Sequence, residues 1–378
     1  MKKRILIIYA SYGAGHKAIA NYIAQHFKSE DEELEIATLD MITYSMKVIG
    51  PISQKVNLFL MLKTPYIHDI FYNISSTKIG GNLLDGAAMP FFKSKRMKKM
   101  VTDFNPDVVI ATIFFGASLA AYYKKKGLID AKLIATVTDY DVIQLWMKYH
   151  KYLDYIIVGN NDMKKDLLKR KVDKKKIKVL GIPIAPKMPM KFNRKASLEK
   201  YNFSGKRPIC IFFGGGGNGS SMTIPYIRKV ALSRYDLDII FIAGKNETSR
   251  KYVEDLVEKH KIENIRVLGF ADNIPELLEL GDFVVSKPGG IQLTECIYFK
   301  KPVFMIKHSG GQEIANYKYF ESIGCGKYFR THWGLNKYIG YLLKNPKVLE
   351  KYQNNTKKID NTEAMDKLYE LVVNLLKK

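Results

Sequence analysis

Cysteine is scarce in this chain. Cys210, Cys296 and Cys325 stand far apart and odd in number. That pattern fits packed thiols in a reducing compartment and excludes a disulfide framework or a cysteine-built zinc site. The seven histidines show no HxxxH pairing, so no protein-built metal site is expected. Long apolar runs are missing too. Val108–Tyr123 (VVIATIFFGASLAAYY) is short for a bilayer span and is broken by Gly116 and Ser118. It reads as a strand followed by a helix. MKKRILIIYA is basic then apolar, but polar Ser11 to His16 follow at once. It reads as a buried first strand and not as a cleaved signal.

Acid is in short supply against base. The chain has 61 Lys and Arg but 37 Asp and Glu, a formal charge of +24. The excess is spread along the chain, with clusters at Lys93–Lys99 (KSKRMKK), Lys124–Lys126 and Lys164–Lys178. Such a balance calls for an anionic partner: a nucleic acid, an anionic membrane face or a phosphorylated substrate. No zinc-finger, RNP-like or GXXG pattern is present, so nucleic acid is not expected.

What is there is a repeated alternation of short apolar runs and helical stretches. Arg4–Ala10, Leu34–Leu39, Val108–Ala111, Leu133–Val137, Tyr155–Val158 and Lys178–Leu180 read as strands of a doubly wound parallel α/β domain. Gly181–Arg194 (GIPIAPKMPMKFNR) carries three prolines and reads as a linker. The pattern then restarts with Pro208–Phe213, Leu237–Ala243, Ile265–Leu268 and Asp282–Val285. Two domains of the same class are expected, over residues 1–185 and 195–378, the second ending in a basic helical tail.

Residues 41–100 break the alternation. They are apolar and aromatic (Phe59, Leu60, Met61, Tyr66, Phe71, Tyr72, Phe91, Phe92) and run into KSKRMKK. Apolar surface beside lysines is how a peripheral protein grips an anionic bilayer, so membrane contact is expected here.

Three glycine-rich turns carry the chemistry. SYGAGH follows the first strand and leads to His16; the GxGxxG fingerprint is incomplete, although Asp40 ends the next strand where a ribose-binding acid would sit. GGGGNGS (Gly214–Ser220) follows a buried strand and opens a helix, but no Gly-Lys-Ser/Thr follows, so it is not a Walker A loop. Ser286–Asn316 opens two helices within about thirty residues, each an anion seat. Gln292, Thr294, Glu295, Gln312, Glu313 and Asn316 fall in their first turns. Amide and carboxylate groups together suit a polyhydroxylated sugar. Asp139-Tyr140-Asp141 matches a DxD metal pattern, but so does Asp236-Leu237-Asp238, and the match carries little weight.

Taken together, SYGAGHKA, FGGGGNG, SKPGG-x3-TE and GQE-x2-N resemble the GT-B glycosyltransferases related to monogalactosyldiacylglycerol synthase and the processive diacylglycerol glucosyltransferases. The later motifs are similar, more distantly, to the lipid-linked N-acetylglucosamine transferase of peptidoglycan synthesis. The resemblance implies two Rossmann-like domains facing across a cleft. It implies an inverting transfer of a hexose from a UDP-sugar to a diacylglycerol-type lipid, peripheral on the cytoplasmic membrane face, with no bound cofactor or metal. It places Glu295 at the ribose and Gln312 and Glu313, with Asn316, at the donor sugar. Gly215, Gly216 and Asn218 fall near the diphosphate and Phe270 near the uracil. Gly289, Gly290 and Thr294 belong to the same donor set. His16 is the candidate base, with Asp139 to orient or replace it; Gly13, Gly15 and Trp146 lie on the acceptor side. Two positions depart from the family: Ile143 stands where relatives carry a histidine before the tryptophan, and Ile113 where a histidine often follows the threonine. The alternatives are another GT-B-like UDP-sugar enzyme, acting on a soluble acceptor or as an epimerase, and a non-enzymatic basic binder.

Overall fold

The structure, a computed structural model, describes residues 2–11, 15–45, 65–184, 192–215, 221–307 and 310–377. Of the membrane-contact stretch, Phe59, Leu60 and Met61 lie outside the described residues, as do the side chains of Tyr66 and Phe71. The chain divides into two compact units. The first holds residues 1–185, 309–312 and 361–378; the second holds 186–308 and 313–360.

The first unit runs β1 (Arg4–Tyr9), α1 (Gly15–Glu30), β2 (Glu35–Asp40), α2 (Met41–Ser45), α3 (Pro65–Ser76), α4 (Lys78–Phe92), α5 (Lys95–Phe104), β3 (Val108–Ala111), α6 (Phe114–Lys125), β4 (Lys132–Thr136), β5 (Tyr155–Val158), α7 (Asn161–Lys169) and β6 (Ile177–Val179). Its strands form one sheet in the order β2-β1-β3-β4-β5-β6, with every pairing parallel. Parallel strands are covered on both faces, which is why β1 and β3 read as unbroken apolar runs; Ile5, Leu6, Ile7 and Ile8 are wholly buried.

The second unit runs α8 (Arg194–Lys200), β7 (Ile209–Phe213), α9 (Ile224–Leu232), β8 (Asp238–Ile242), α10 (Glu247–Lys259), β9 (Ile265–Leu268), α11 (Ile274–Leu280), β10 (Phe283–Ser286), α12 (Gly290–Tyr298), β11 (Val303–Ile306), α13 (Gln312–Ser322), β12 (Gly326–Phe329), α14 (His332–Lys344) and α15 (Pro346–Lys357). Its sheet is also parallel throughout, in the order β12-β11-β10-β7-β8-β9.

The helical tail, expected wholly within 195–378, does not stay in the second unit. Its last helix, α16 (Ala364–Leu376), belongs to the first. Leu368 and Val372 are wholly buried, and the Tyr369 ring meets Phe27 of α1 edge-on at 5.2 Å. Asn361 Nδ2 donates to the Ile182 carbonyl at 3.0 Å and anchors the start of this return. The apolar stripe of α16 is amphipathic on its own, and nothing local in the sequence says which sheet it covers.

Candidate functional site

In an open parallel sheet, ligands bind beyond the carboxyl ends of the strands, where the strand order reverses. Each sheet has one such point. In the first unit it lies between β1 and β3, in the second between β7 and β10.

At the first reversal point, the chain leaves β1 through Ala10 and Ser11 and enters α1 at Gly15. Gly13 lies outside the described residues. His16, half-buried in the first turn of α1, turns its Nδ1 to the Thr112 carbonyl at 2.8 Å, just beyond the end of β3. Thr138 Oγ1 lies 3.0 Å from the same nitrogen, and Thr112 Oγ1 donates to the His16 carbonyl at 3.2 Å. A carbonyl only accepts, so Nδ1 carries the proton and Nε2 keeps its lone pair. Burial lowers the His16 pKa; the charge of Asp139 and the Thr112 hydrogen bond oppose that shift. The result is a neutral imidazole with a basic Nε2. Thr112 and Thr138 were not singled out in the sequence. Their only signal was position: each directly or nearly follows a strand that ends at the reversal point or beside it.

Asp40 is not a free ribose acceptor. Its carboxylate takes the Ser11 N–H at 3.2 Å, the Ile42 N–H at 3.1 Å and the Thr43 hydroxyl at 2.8 Å, and also bonds the Ser11 hydroxyl. Asp141, the second acid of DYD, accepts from the Tyr72 hydroxyl and from the Val142 N–H at 2.8 Å. Trp146 is only 5% exposed and its ring meets Phe114 at 6.0 Å. It is core of the first unit and not a surface for an acceptor. No group of three or more His, Cys, Asp or Glu arranged to hold a metal occurs among the described residues.

At the second reversal point, the turns after β7 and β10 are neighbours, because Phe212 pairs with Val285 near the ends of both strands. Gly214 is a packing glycine: a Cβ there would meet the Ile242 carbonyl at 2.9 Å. Gly215 has φ +112, a conformation that favours glycine. Gly216 and Asn218 lie outside the described residues.

Gly289 is different. Its φ is −72° and an added Cβ would meet nothing within 4 Å among the described residues. Neither backbone strain nor packing against the described residues asks for glycine here, and the position leaves space among them at the N-terminus of α12. Gly290 begins that helix and is buried. Glu295 is half-buried one turn further on. Thr294, expected at the donor, is wholly buried and donates its hydroxyl to the Gly290 carbonyl at 2.7 Å. Asn316 is wholly buried as well, and its Nδ2 donates to the Pro288 carbonyl at 3.0 Å. Both brace the turn instead of presenting a group to a ligand; a buried polar group is held by its partner.

The α13 side of the site is built by a left-handed turn, Gly310 at φ +88 and Gly311 at φ +62, which aims Gln312 and Glu313 into the first turn. Glu313 Oε1 lies 3.6 Å from Lys287 Nζ, and both side chains are largely buried, at 12% and 16% exposed. Lys287 was passed over in the sequence, where a lysine in so basic a chain carries no signal. Phe270, by contrast, is 62% exposed, with Lys245 Nζ 5.4 Å from its ring centroid. A large exposed aromatic beside a cation can stack on a planar base.

The apolar segment also has a shape. α3 and α4 join at Thr77, whose hydroxyl caps α4 by accepting from the Gly80 N–H at 3.1 Å. Ile70, Ile74, Ile79, Leu83 and Phe91 are all exposed, Ile79 at 76% and Leu83 at 68%. Phe92, in contrast, is buried against Phe115. α5 follows at once with exposed Lys95, Arg96, Lys98 and Lys99. No helix of the described residues is long and apolar enough to cross a membrane.

The model of the monogalactosyldiacylglycerol (MGDG) synthase family matches residues 16–184, and that of the group 1 glycosyl transferases matches residues 226–359. A processive diacylglycerol beta-glucosyltransferase of Bacillus pumilus is 26% identical over 376 residues, covering 98% of this chain and 94% of that protein. Among solved structures, MurG of Acinetobacter baumannii superposes with a TM-score of 0.63 at 12% identity, covering 98% of this chain and 99% of that one. The UDP co-structure of MnaA from S. aureus gives 0.62 at 14%, covering 100% and 98%.

Proposed function

We propose that this chain, which belongs with the GT-B glycosyltransferases of the MGDG synthase and processive diacylglycerol glucosyltransferase family, moves a hexose from a UDP-sugar to a diacylglycerol-type lipid with inversion at the anomeric carbon. The observation that carries the donor half is the open space at Gly289. It lies at the reversal of strand order, at the N-cap of α12, a helix end of the kind that receives anions, with the half-buried Glu295 further along the same helix. UDP would set its diphosphate at the N-terminus of α12 and its ribose on Glu295. Gln312 and Glu313 would meet the sugar, and Phe270 would stack on the uracil.

His16 supplies the base. Its Nε2 takes the proton of the acceptor hydroxyl as that oxygen attacks the anomeric carbon. The bond from that carbon to the diphosphate oxygen breaks, and UDP leaves with the bonding pair. The helix N-terminus and its N–H groups meet the charge that grows on the phosphate. None of these steps calls for a bound metal.

The acceptor class rests on the α3–α4 hairpin. Exposed Ile74, Ile79 and Leu83 with the α5 lysines and arginine fit an anionic bilayer, and a soluble acceptor gives no reason for them. The reading places the protein on the cytoplasmic face of the membrane, held peripherally. Release of UDP, measured with a panel of UDP-sugars and diacylglycerol in vesicles, tests it. Release that needs both substrates supports transfer. No release with any pair, from folded protein, overturns it, and UDP-sugar turnover without lipid points instead to an epimerase or a soluble acceptor.

A further inference from the structure

Two polar links join the exposed hairpin of the first unit to the segment that carries Asp139. Tyr72, on the inner side of α3, donates its hydroxyl to Asp141. Lys148 Nζ lies 2.8 Å from Oδ2 of Asp85, a wholly buried acid in the middle of α4. Both partners outside the hairpin, Asp141 and Lys148, sit on the stretch 138–148. The same stretch holds Thr138, bonded to His16, and Asp139, whose charge acts on His16. Neither link is needed to close a core: a Phe would fill the space of Tyr72, and a buried ion pair is a weak source of stability. Burial, then the charges of Asp141 and Asp139, push the Tyr72 phenol well up, against a smaller opposite effect from Arg170. Tyr72 therefore stays a donor to Asp141 at any working pH.

We infer that Tyr72 and Asp141 are positioning residues that couple the α3–α4 hairpin to His16 through the stretch whose Thr138 bonds it, so that seating the hairpin on lipid sets the geometry of the base. The inference rests on the lipid-facing reading above. Ile70 and Ile74 are exposed two residues either side of Tyr72, so the helix that would meet lipid is the one that carries the donor to Asp141. Interfaces of this kind act between discrete arrangements and not by smooth bending.

Trp146 reports on the coupled stretch without any need for catalysis. It is buried two residues before Lys148, and the chain has one other tryptophan, the exposed Trp333 of α14. A Trp333→Phe background therefore gives a single buried reporter. Full-length protein is mixed with phosphatidylglycerol vesicles, and sedimentation is read beside Trp146 emission and acrylamide quenching. The expected result is a vesicle-dependent change in Trp146 that falls by at least about half in Tyr72→Phe, while sedimentation is unaltered. Asp141→Asn should give the same loss from the other partner. In a transfer assay, Tyr72→Phe should lower kcat about tenfold and leave KM for the UDP-sugar unchanged. An equal Trp146 response in parent and Tyr72→Phe, with both bound to vesicles, overturns the coupling alone. Failure of the parent to sediment overturns the lipid-facing reading and the coupling with it. Sedimentation without transfer by the parent, with the Trp146 difference intact, supports the coupling and overturns the assigned reaction.

Discussion

His16 Nδ1 lies 2.8 Å from the carbonyl oxygen of Thr112, across the one place where the strand order of the first sheet reverses. The bond fixes the tautomer and leaves Nε2 basic. Burial lowers the His16 pKa from its usual 6.5, so the base stays neutral at pH 7. The log of kcat should then fall with unit slope only on the acid side, with its midpoint below 6.5. Asp139 opposes the lowering. Asp139→Asn should move that midpoint further down and reduce kcat, because a less basic imidazole is a poorer base. Stability follows the same sign. As pH drops below 6.5, the unfolded chain takes up a proton that folded His16 resists, so stability is lost across that window. Pre-steady-state rates against pH decide it: a midpoint above 6.5, or one that rises in Asp139→Asn, is the contrary result.

Two glycines, one before α12 and one before α13, should separate ligand space from backbone need. Gly289 has an ordinary φ and room for a Cβ, whereas Gly311 sits at φ +62. Gly289→Ala should leave the melting temperature unchanged and weaken UDP about tenfold, ~1.4 kcal/mol. Gly311→Ala should cost about 1 kcal/mol of stability or more, since an L side chain is strained there. Calorimetry with UDP and thermal melts on both variants read the contrast. Full UDP affinity in Gly289→Ala would remove the reason given for its glycine.

The parallel sheets and the glycine turns were legible because each depends on local pattern. Apolar runs such as Ile5–Ile8 and Phe283–Val285 announce strands covered on both faces, and Gly310-Gly311 announces a left-handed turn. What was hidden depends on packing between distant segments. Asn316 and Thr294 looked like ligand groups because they are polar in first helical turns, yet each is spent on a backbone carbonyl inside the turn. Trp146 looked like an acceptor contact and is core. Lys287 looked like one lysine among many, and only its burial against Glu313 sets it apart. The return of α16 to the first unit was invisible for the same reason: an amphipathic stripe names a face but not its partner.

Asn316→Ala should act as a fold lesion and not as a substrate lesion. It strips the Pro288 carbonyl of a buried donor, which costs about 1–3 kcal/mol. Gln312→Ala, in the first turn of the same helix and half-buried, should leave stability within about 0.5 kcal/mol and raise KM for the UDP-sugar instead. Urea unfolding beside donor kinetics separates the two. A stable Asn316→Ala with a raised KM would return that side chain to the sugar.

The hairpin makes the last test, because its exposed apolar groups have no folded-state task. Ile79 and Leu83 stand one turn apart on α4, at 76% and 68% exposure. Charging them should not disturb the core: Ile79→Glu and Leu83→Glu together should keep the melting temperature. On a bilayer the same change removes two apolar side chains, each contributing about 1.5–3 kcal/mol when buried, and places negative charge against an anionic surface. Sedimentation with phosphatidylglycerol vesicles should drop by at least about tenfold, while UDP affinity is untouched because Gly289, Glu295 and Phe270, the groups assigned to UDP, belong to the other unit. Replacing Lys95, Lys98 and Lys99 with Gln should weaken the same binding and flatten its dependence on salt. If the doubly charged variant sediments like the parent, α4 is not the surface that meets lipid.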